Sequence, residues 1–482
     1  MTSIAKVDGR SRIGAQDSSA NVAALLGAFK EACVTMLAAL ATLACAIAIA
    51  PGPGSAVLAV VLCISLSRSH LDRDRRGRIE AAIALPIVGL VAVGVGMLLL
   101  RAPWIGAAVF VAGMFVSIWL RRFGPMARRA GSLIALPFVV LLTTPYIPAT
   151  QDSLVPTALA PIVVALLALL WVSVLHALAR RVGVLPPERA PIAGARKPES
   201  LPVASKGEGS LRPIASTRMA IQMAIALSAA FVIGYVYFSE RWAWIVLTAF
   251  IVVSGNRGRL DVAYKSVLRV LGAAAGTLVA LTLMIHAGSH DSTTVALILG
   301  AIFLGVWLRP VGYAWWALFV TIALALLQGF TGSSQPPMLG LRLEEIVFGA
   351  VIGVAACWFV LPVRSIGVLR RRIANALAEL SDALDPAISN RTSYAFVEVI
   401  ADIEQLAPAF RASRLVTRYF RTQQPADWID ALMTCRDPAI ALIEKSATPA
   451  PVRRAVGAAR KALREPDEIL SALQDLSAAM VE

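Results

Sequence analysis

Two blocks of six hydrophobic segments, matched in order and similar in length, constrain this chain more than any other feature. Trp119-Leu120-Arg121 closes the fourth segment of the first block, and Trp307-Leu308-Arg309 closes the fourth of the second, 188 residues later. The same offset sets Lys30, at the mouth of the first segment, opposite Arg218 at the mouth of the seventh. The segments fall at 32–50, 54–67, 81–100, 104–120, 132–146, 154–178, 217–238, 242–255, 268–286, 294–308, 313–330 and 344–361. Most are close to the ~20 residues a helix needs to cross a hydrocarbon core. Nothing resembles the alternating ten-residue strands of a membrane barrel, so the backbone must satisfy itself within helices. The expected fold class is all-α: a polytopic membrane protein of twelve transmembrane helices in two six-helix repeats, with a C-terminal helical domain. Duplicated bundles of this kind are a common transporter plan, with the substrate path between repeats.

Composition agrees: 58% of residues are hydrophobic and only 16% charged. The net charge of +15 would suit a nucleic-acid partner, but its distribution argues against one. Twenty-two Lys and Arg residues cluster around alternate loops, among them Arg73, Arg75, Arg76, Arg121, Arg122, Arg257 and Lys265. The opposite loops hold only Arg101, Arg241 and Arg342. That is a positive-inside pattern, which places both termini in the cytoplasm and accounts for the basic excess as topology. The first twenty residues lack an apolar core followed by a small-residue cleavage site, so no cleavable signal peptide is expected. Cys33, Cys45, Cys63, Cys357 and Cys435 have no metal-site spacing, so neither a metal nor a disulfide is expected, and no cofactor.

Along the chain, residues 1–20 read as a disordered cytoplasmic lead and 21–182 as the first membrane repeat, with Asn21–Glu31 either a short interfacial helix or an extension of the first span. Residues 183–213, with six prolines, read as an extended cytoplasmic linker. The second repeat covers 214–362. Beyond Pro362 the charges balance, and Ile366, Leu369, Ile373, Leu377, Leu380 and Leu384 recur at helical spacing, so 363–482 reads as a cytoplasmic helical domain.

Segments two and eight are short and occupy matched positions, and Pro51-Gly52-Pro53-Gly54 and Gly255 flank them. Interrupted spans at matched repeat positions point to a transporter's binding site, although two short buried spans would look the same. Arg269-Val-Leu-Gly272-Ala-Ala-Ala-Gly276 opens segment nine; its glycines share one face and suit helix packing, and Arg269 could bind an anion or snorkel to the headgroups. Gly349 and Gly353 repeat the small-residue spacing in segment twelve as packing positions. Arg342 and Glu345 can pair along that helix. Glu345 is a candidate proton-coupling group if it lies inside the membrane, or a helix-end carboxylate if it does not. Trp244 reads as an interfacial ring or a stacking surface, and His176 as interfacial. With no phosphate-cradling Gly-Lys-Ser/Thr loop and no nucleophile–base spacing, neither direct ATP drive nor an enzyme is expected.

Trp244-Ile-Val-Leu-Thr248-Ala249, followed by a basic loop and the Arg269–Gly276 run, resembles the fusaric-acid-resistance-like, or aromatic acid exporter, family. Arg342-Leu-Glu-Glu-Ile-Val-Phe-Gly349 through Pro362 is similar to that family's last span. The resemblance covers 217–362. Ala273 stands where the family has Thr, and the linker is shorter than the domain many members carry between their halves. The resemblance implies export of aromatic carboxylic acids across a bacterial inner membrane, often with a periplasmic adaptor protein, and plant relatives conduct organic anions. The expected substrate path includes Trp244, Thr248, Arg269, Gly272 and Gly276, lying between the halves and lined in part by segments two, three, eight and nine. The expected partners are a small organic anion and the lipid bilayer, with a periplasmic adaptor and a homo-oligomeric assembly left open.

The leading expectation is efflux of small aromatic or amphipathic organic acids driven by the proton gradient. The alternatives are a passive organic-anion channel of the malate-channel type, a major-facilitator-type transporter, or a non-transport membrane scaffold. The charge pattern makes a direct prediction. In a cysteine-free background, single cysteines at Ser153 and Ser334 should label from outside whole cells while one at Ser205 stays protected. The reverse pattern would overturn the topology.

Overall fold

In a membrane, a helix that is apolar all round can bury one face on its neighbours and leave the other to lipid. The third helix shows this division. Ala81, Leu85, Ala92, Val95 and Leu99 are buried, whereas Ile79, Ile83, Ile87, Leu90, Met97 and Leu100 are exposed along a second stripe. An apolar stripe of that length is foreign to a soluble surface and fits lipid contact.

The computed structural model describes residues 5–69, 75–143, 159–186, 215–238, 241–286, 292–330, 336–387, 393–420, 424–445, 447 and 449–481. The described residues are helical, with no strand. In order, the helices of the apolar part are α1 (Ala5–Ile49), α2 (Pro53–Ser69), α3 (Arg75–Arg101), α4 (Pro103–Trp119), α5 (Pro125–Thr143), α6 (Ala160–Arg181), α7 (Ala215–Tyr237), α8 (Trp242–Val253), α9 (Arg259–His286), α10 (Ser292–Leu308), α11 (Tyr313–Phe330) and α12 (Pro336–Phe359). Each expected segment overlaps one of them, although 144–146 and 154–158 lie outside the described residues. Seven described helices, in α1, α3, α4, α6, α7, α9 and α11, are long and apolar enough to cross a bilayer, and α2, α8 and α10 are shorter apolar helices. The chain is an all-helical, multi-pass membrane protein.

The N-terminal lead is the main departure from expectation. Residues 5–20, expected to be disordered, continue α1, and Asn21–Glu31 extends the first span, one of its two expected readings; no proline interrupts the run from Ala5 to Ile49. The interdomain linker, beyond Pro186, lies outside the described residues.

The chain divides into two units, the first holding most of α1–α12. In it, Leu62, Leu66, Leu85, Leu133, Ala168 and Val172 form one core shared by α2, α3, α5 and α6. Between the halves, α4 packs on α7 and α1 on α10. Exchanging each helix for the one at the same place in the other half, α1 for α7 and α10 for α4, turns the second pair into the first. The α4–α7 seam is aromatic, with Phe110 against Phe231 and Trp104 against Tyr235, whose hydroxyl donates to the Pro103 carbonyl at 3.2 Å. At the other seam Phe29 meets Phe303 and Trp307, and the Trp307 indole N–H donates to the Leu25 carbonyl at 3.3 Å.

The second unit comprises Gly255–Tyr264 and Cys357–Glu482 among its described parts, so it reaches beyond the 363–482 boundary read from composition. Its helices are α13 (Ser365–Ala383), α14 (Tyr394–Glu404), α15 (Ala407–Thr417), α16 (Pro425–Thr434), α17 (Arg436–Glu444), α18 (Ala450–Ala462) and α19 (Ile469–Val481). The periodic residues Leu369, Ile373, Leu377, Leu380 and Leu384 of α13 enter one core with Phe396, Trp428, Leu432 and Leu476. Reciprocal bonds between Gln424 and Asp427 cap the start of α16, with Pro425 as its first residue. Cys435 is fully buried in this core, and desolvation pushes its thiol up to about 11. The thiolate is therefore scarce at any pH well below 11, and we expect maleimide at neutral pH to leave Cys435 unmodified until the domain is unfolded. Rapid labelling of the native protein at Cys435, read by mass spectrometry, would contradict this packing.

Candidate functional site

Charged side chains are the costliest groups to place inside a membrane bundle, so where they lie buried there is a reason to look. Four helices of the second half, α8, α9, α11 and α12, gather such groups. Arg269, ten residues into α9, is only 1% exposed and is the largest fully buried side chain described. Its Nε and Nη2 have no hydrogen-bond partner among the described residues. Arg342 on α12 is 3% exposed and lies within electrostatic reach of Arg269, as does Tyr313 at the start of α11. The Arg342 Nη1 donates to the Gln328 side-chain oxygen at 3.3 Å, and its guanidinium carbon sits 4.0 Å from the centre of the Trp244 ring on α8. Its Nε and Nη2 are also without a described partner.

Glu345 is wholly buried, on the same face of α12 as Arg342 and Gly349, while Glu344 beside it faces outward. It does not pair with Arg342 as the three-residue spacing suggested. The Nε of Arg241, just before α8, lies 3.2 Å from its Oε1, forming an ion pair that lacks the angles of a hydrogen bond. Nor is Glu345 a helix-end carboxylate. The helix begins at Pro336, nine residues earlier, or about 13 Å along the axis. The snorkelling reading of Arg269 fails likewise on its burial. Thr248 on α8 is fully buried and its hydroxyl has no partner among the described residues.

Arg241 thus pairs with the one buried carboxylate, while Arg342 and Arg269 lie within electrostatic reach of each other. Trp244 acts through its ring face, where the indole's electron density attracts the Arg342 cation. The glycines of the expected path play another part. A Cβ on Gly272 would lie 2.8 Å from the Ala314 carbonyl oxygen, and one on Gly276 would lie 2.6 Å from that of Leu318, so both let α9 close on α11. Gly349 and Gly353 do the same for α12 against α8, at Ile245, Thr248 and Val252. The spacing alone indicated packing, and the structure gives the partner helices. The sequence reading passed over Arg241, Tyr313 and Gln328. Arg241 was legible as one of the few cations on the basic-poor side, whereas the other two carried no signal.

The first half is chemically different. His176 is buried rather than interfacial. Its Nδ1 is 2.9 Å from the Val172 carbonyl oxygen and its Nε2 3.2 Å from the Ser67 hydroxyl, which in turn lies 2.8 Å from the hydroxyl of Thr35. If Nδ1 donates to the carbonyl, Nε2 is left to accept from Ser67, which gives a neutral chain linking α1, α2 and α6. No metal-holding group of three or more His, Cys, Asp or Glu occurs among the described residues.

Residues 225–356 match the model of the fusaric acid resistance protein-like family. This fusaric acid resistance-like segment contains Arg241, Trp244, Thr248, Arg269, Arg342 and Glu345, so the whole charged cluster falls inside it. Comparison with curated proteins and with solved structures returned no match.

The glycine contacts generate a stability prediction. Gly276→Ala forces a methyl group against a backbone oxygen and should destabilise the protein by about 1–3 kcal/mol. Gly300→Ala, in open space on α10, should be neutral or stabilising by about 0.5–1 kcal/mol. Melting of the two variants in detergent, at unchanged membrane insertion, checks the pair.

Proposed function

We propose that this protein moves small aromatic or amphipathic organic anions outward across a bacterial inner membrane, through the cluster built on α8, α9, α11 and α12. The observation that carries the reading is the burial of Arg269 and Arg342 with guanidinium nitrogens unpaired, in a cluster of three cations and one carboxylate. A carboxylate substrate would supply the missing charge, at about 4 kcal/mol for a contact near 4 Å in an effective dielectric of 20. Trp244 and the Thr248 hydroxyl would meet its ring and its polar edge. Family membership of the segment supports a transport or resistance role, since the match covers the whole cluster.

The reading includes twelve spans in two duplicated halves with both termini in the cytoplasm. The alternate loop charges support that topology, and the paired contacts α1–α10 and α7–α4 support the duplication. An anion leaving a negative interior is driven by the electrical part of the proton gradient, about 2.3 kcal/mol per charge per 100 mV. Glu345, buried against Arg241, is the group that would couple a proton to this movement. A passive organic-anion channel is the second reading, because the cation excess serves conduction equally well; dependence on Glu345 separates the two.

Transport of a labelled aromatic carboxylate into proteoliposomes, under an imposed voltage or pH difference, tests the assignment. Arg269→Gln should reduce flux about ten- to hundred-fold under both, as expected for loss of a charge-assisted contact. Glu345→Gln should abolish the response to the pH difference while sparing the response to voltage. Arg269→Met should lose transport yet melt no lower than the parent, because replacing an uncompensated buried charge with an apolar side chain is commonly neutral or stabilising. Full transport by both Arg269 variants would sink the assignment, and an unchanged pH response in Glu345→Gln would favour the channel.

A further inference from the structure

The second unit contains a cavity of about 490 Å³, within the roughly 300–1,000 Å³ typical of small-molecule sites. Arg259, in the first turn of α9, and Arg364 and Arg370, at the start of α13, stand in its wall, which includes no carboxylate among the described residues. Arg370 is held in place by the carbonyl oxygens of Leu463 and Arg464. The Arg259 guanidinium carbon lies 5.2 Å from the centre of the Trp358 ring. Trp358, Phe410 and Phe420 form the apolar side, and Phe420 is left 85% exposed.

This charge pattern departs from that of the rest of the unit. Arg372 pairs with Asp402, Arg411 with Asp430, and Arg414 with both Asp427 and Asp430. The three cavity arginines have no such partner among the described residues. Planar guanidinium groups match the two oxygens of a carboxylate, and aromatic walls match a flat apolar body. We propose that the cavity binds a small aromatic carboxylate, with its charge on Arg259, Arg364 and Arg370 and its ring against Trp358, Phe410 and Phe420. An anionic lipid headgroup offers the same charge without the flat body, and the volume accommodates the free acid whole. The site uses no residue of the membrane cluster, so neither assignment depends on the other.

Binding of 1-naphthoate to the full chain in phosphatidylcholine nanodiscs, measured by calorimetry, tests it. An Arg342→Gln background weakens the contribution of the membrane cluster, and variants compared within it differ only at the cavity. Saturable binding should survive in that background. Adding Arg259→Gln and Arg364→Gln should weaken it about ten- to hundred-fold. Both arginines are exposed, so the fold should be unaffected. The corresponding lysine variants, which keep the charge but lose the fork, should recover part of the affinity, and Arg372→Gln should leave it unchanged. Equal affinity with and without the two arginines, or no binding in the Arg342→Gln background, overturns the proposal. Displacement of naphthoate when phosphatidylglycerol is added to the discs would reassign the cavity to a lipid headgroup and overturn its assignment to a free acid.

Discussion

A guanidinium group inside a bundle faced by hydrocarbon has no water to turn to, and the arrangement of α8, α9, α11 and α12 follows from that. Withdrawing an ion from water costs several kcal/mol even after the surroundings relax. Arg342 recovers part of this from the Trp244 ring and the Gln328 oxygen, and Glu345 from Arg241. Arg269 recovers less, with two nitrogens unpartnered among the described residues. Such a deficit persists only where the helices cannot part to let water or lipid headgroups in. The glycines provide that closeness. Gly272 and Gly276 bring α9 onto α11, and Gly349 and Gly353 bring α12 onto α8, so the helices locked together are those that carry the charges.

The two halves match in segment order and differ in what they bury. Around α1, α2 and α6, Thr35, Ser67, Thr42 and His176 satisfy one another or nearby carbonyls, although the Trp171 indole N–H and the Ser173 hydroxyl of α6 have no partner among the described residues. Around α8, α9, α11 and α12 the buried groups include ions, in excess of one sign. Satisfied neutral contacts fix helix positions without inviting a ligand. This division matches the proposed reading, in which the buried cations of the second half meet the substrate and the first half supports it along the α4–α7 and α1–α10 seams.

Much of the helical architecture was legible because the lipid-facing helices are largely apolar and the C-terminal helices are amphipathic. The exposed stripe of Ile79, Ile83 and Ile87 and the buried stripe of Leu369, Ile373 and Leu377 are the two patterns at their clearest. Glycine spacing identified packing faces, though not which helices would meet. The ion pair was misassigned for a physical reason. Spacing along one helix reports which residues could touch, whereas Arg241 reaches Glu345 from a different helix, and no local pattern encodes that approach. The continuation of α1 toward Ala5 was missed because polar residues were taken for disorder where nothing in the run forbids a helix.

The excess of cations weighs against the scaffold reading. Ion pairs that serve only structure balance their charges, as Arg372–Asp402 and the group of Arg411, Arg414, Asp427 and Asp430 do in the second unit. A leucine at Arg269 would pack between α9 and α11 without desolvating anything. A buried arginine there gains nothing for the fold that an apolar side chain would not, which is the argument for the proposed anion. On the proposed reading, a carboxylate substrate would offset the excess charge carried by Arg269 and Arg342.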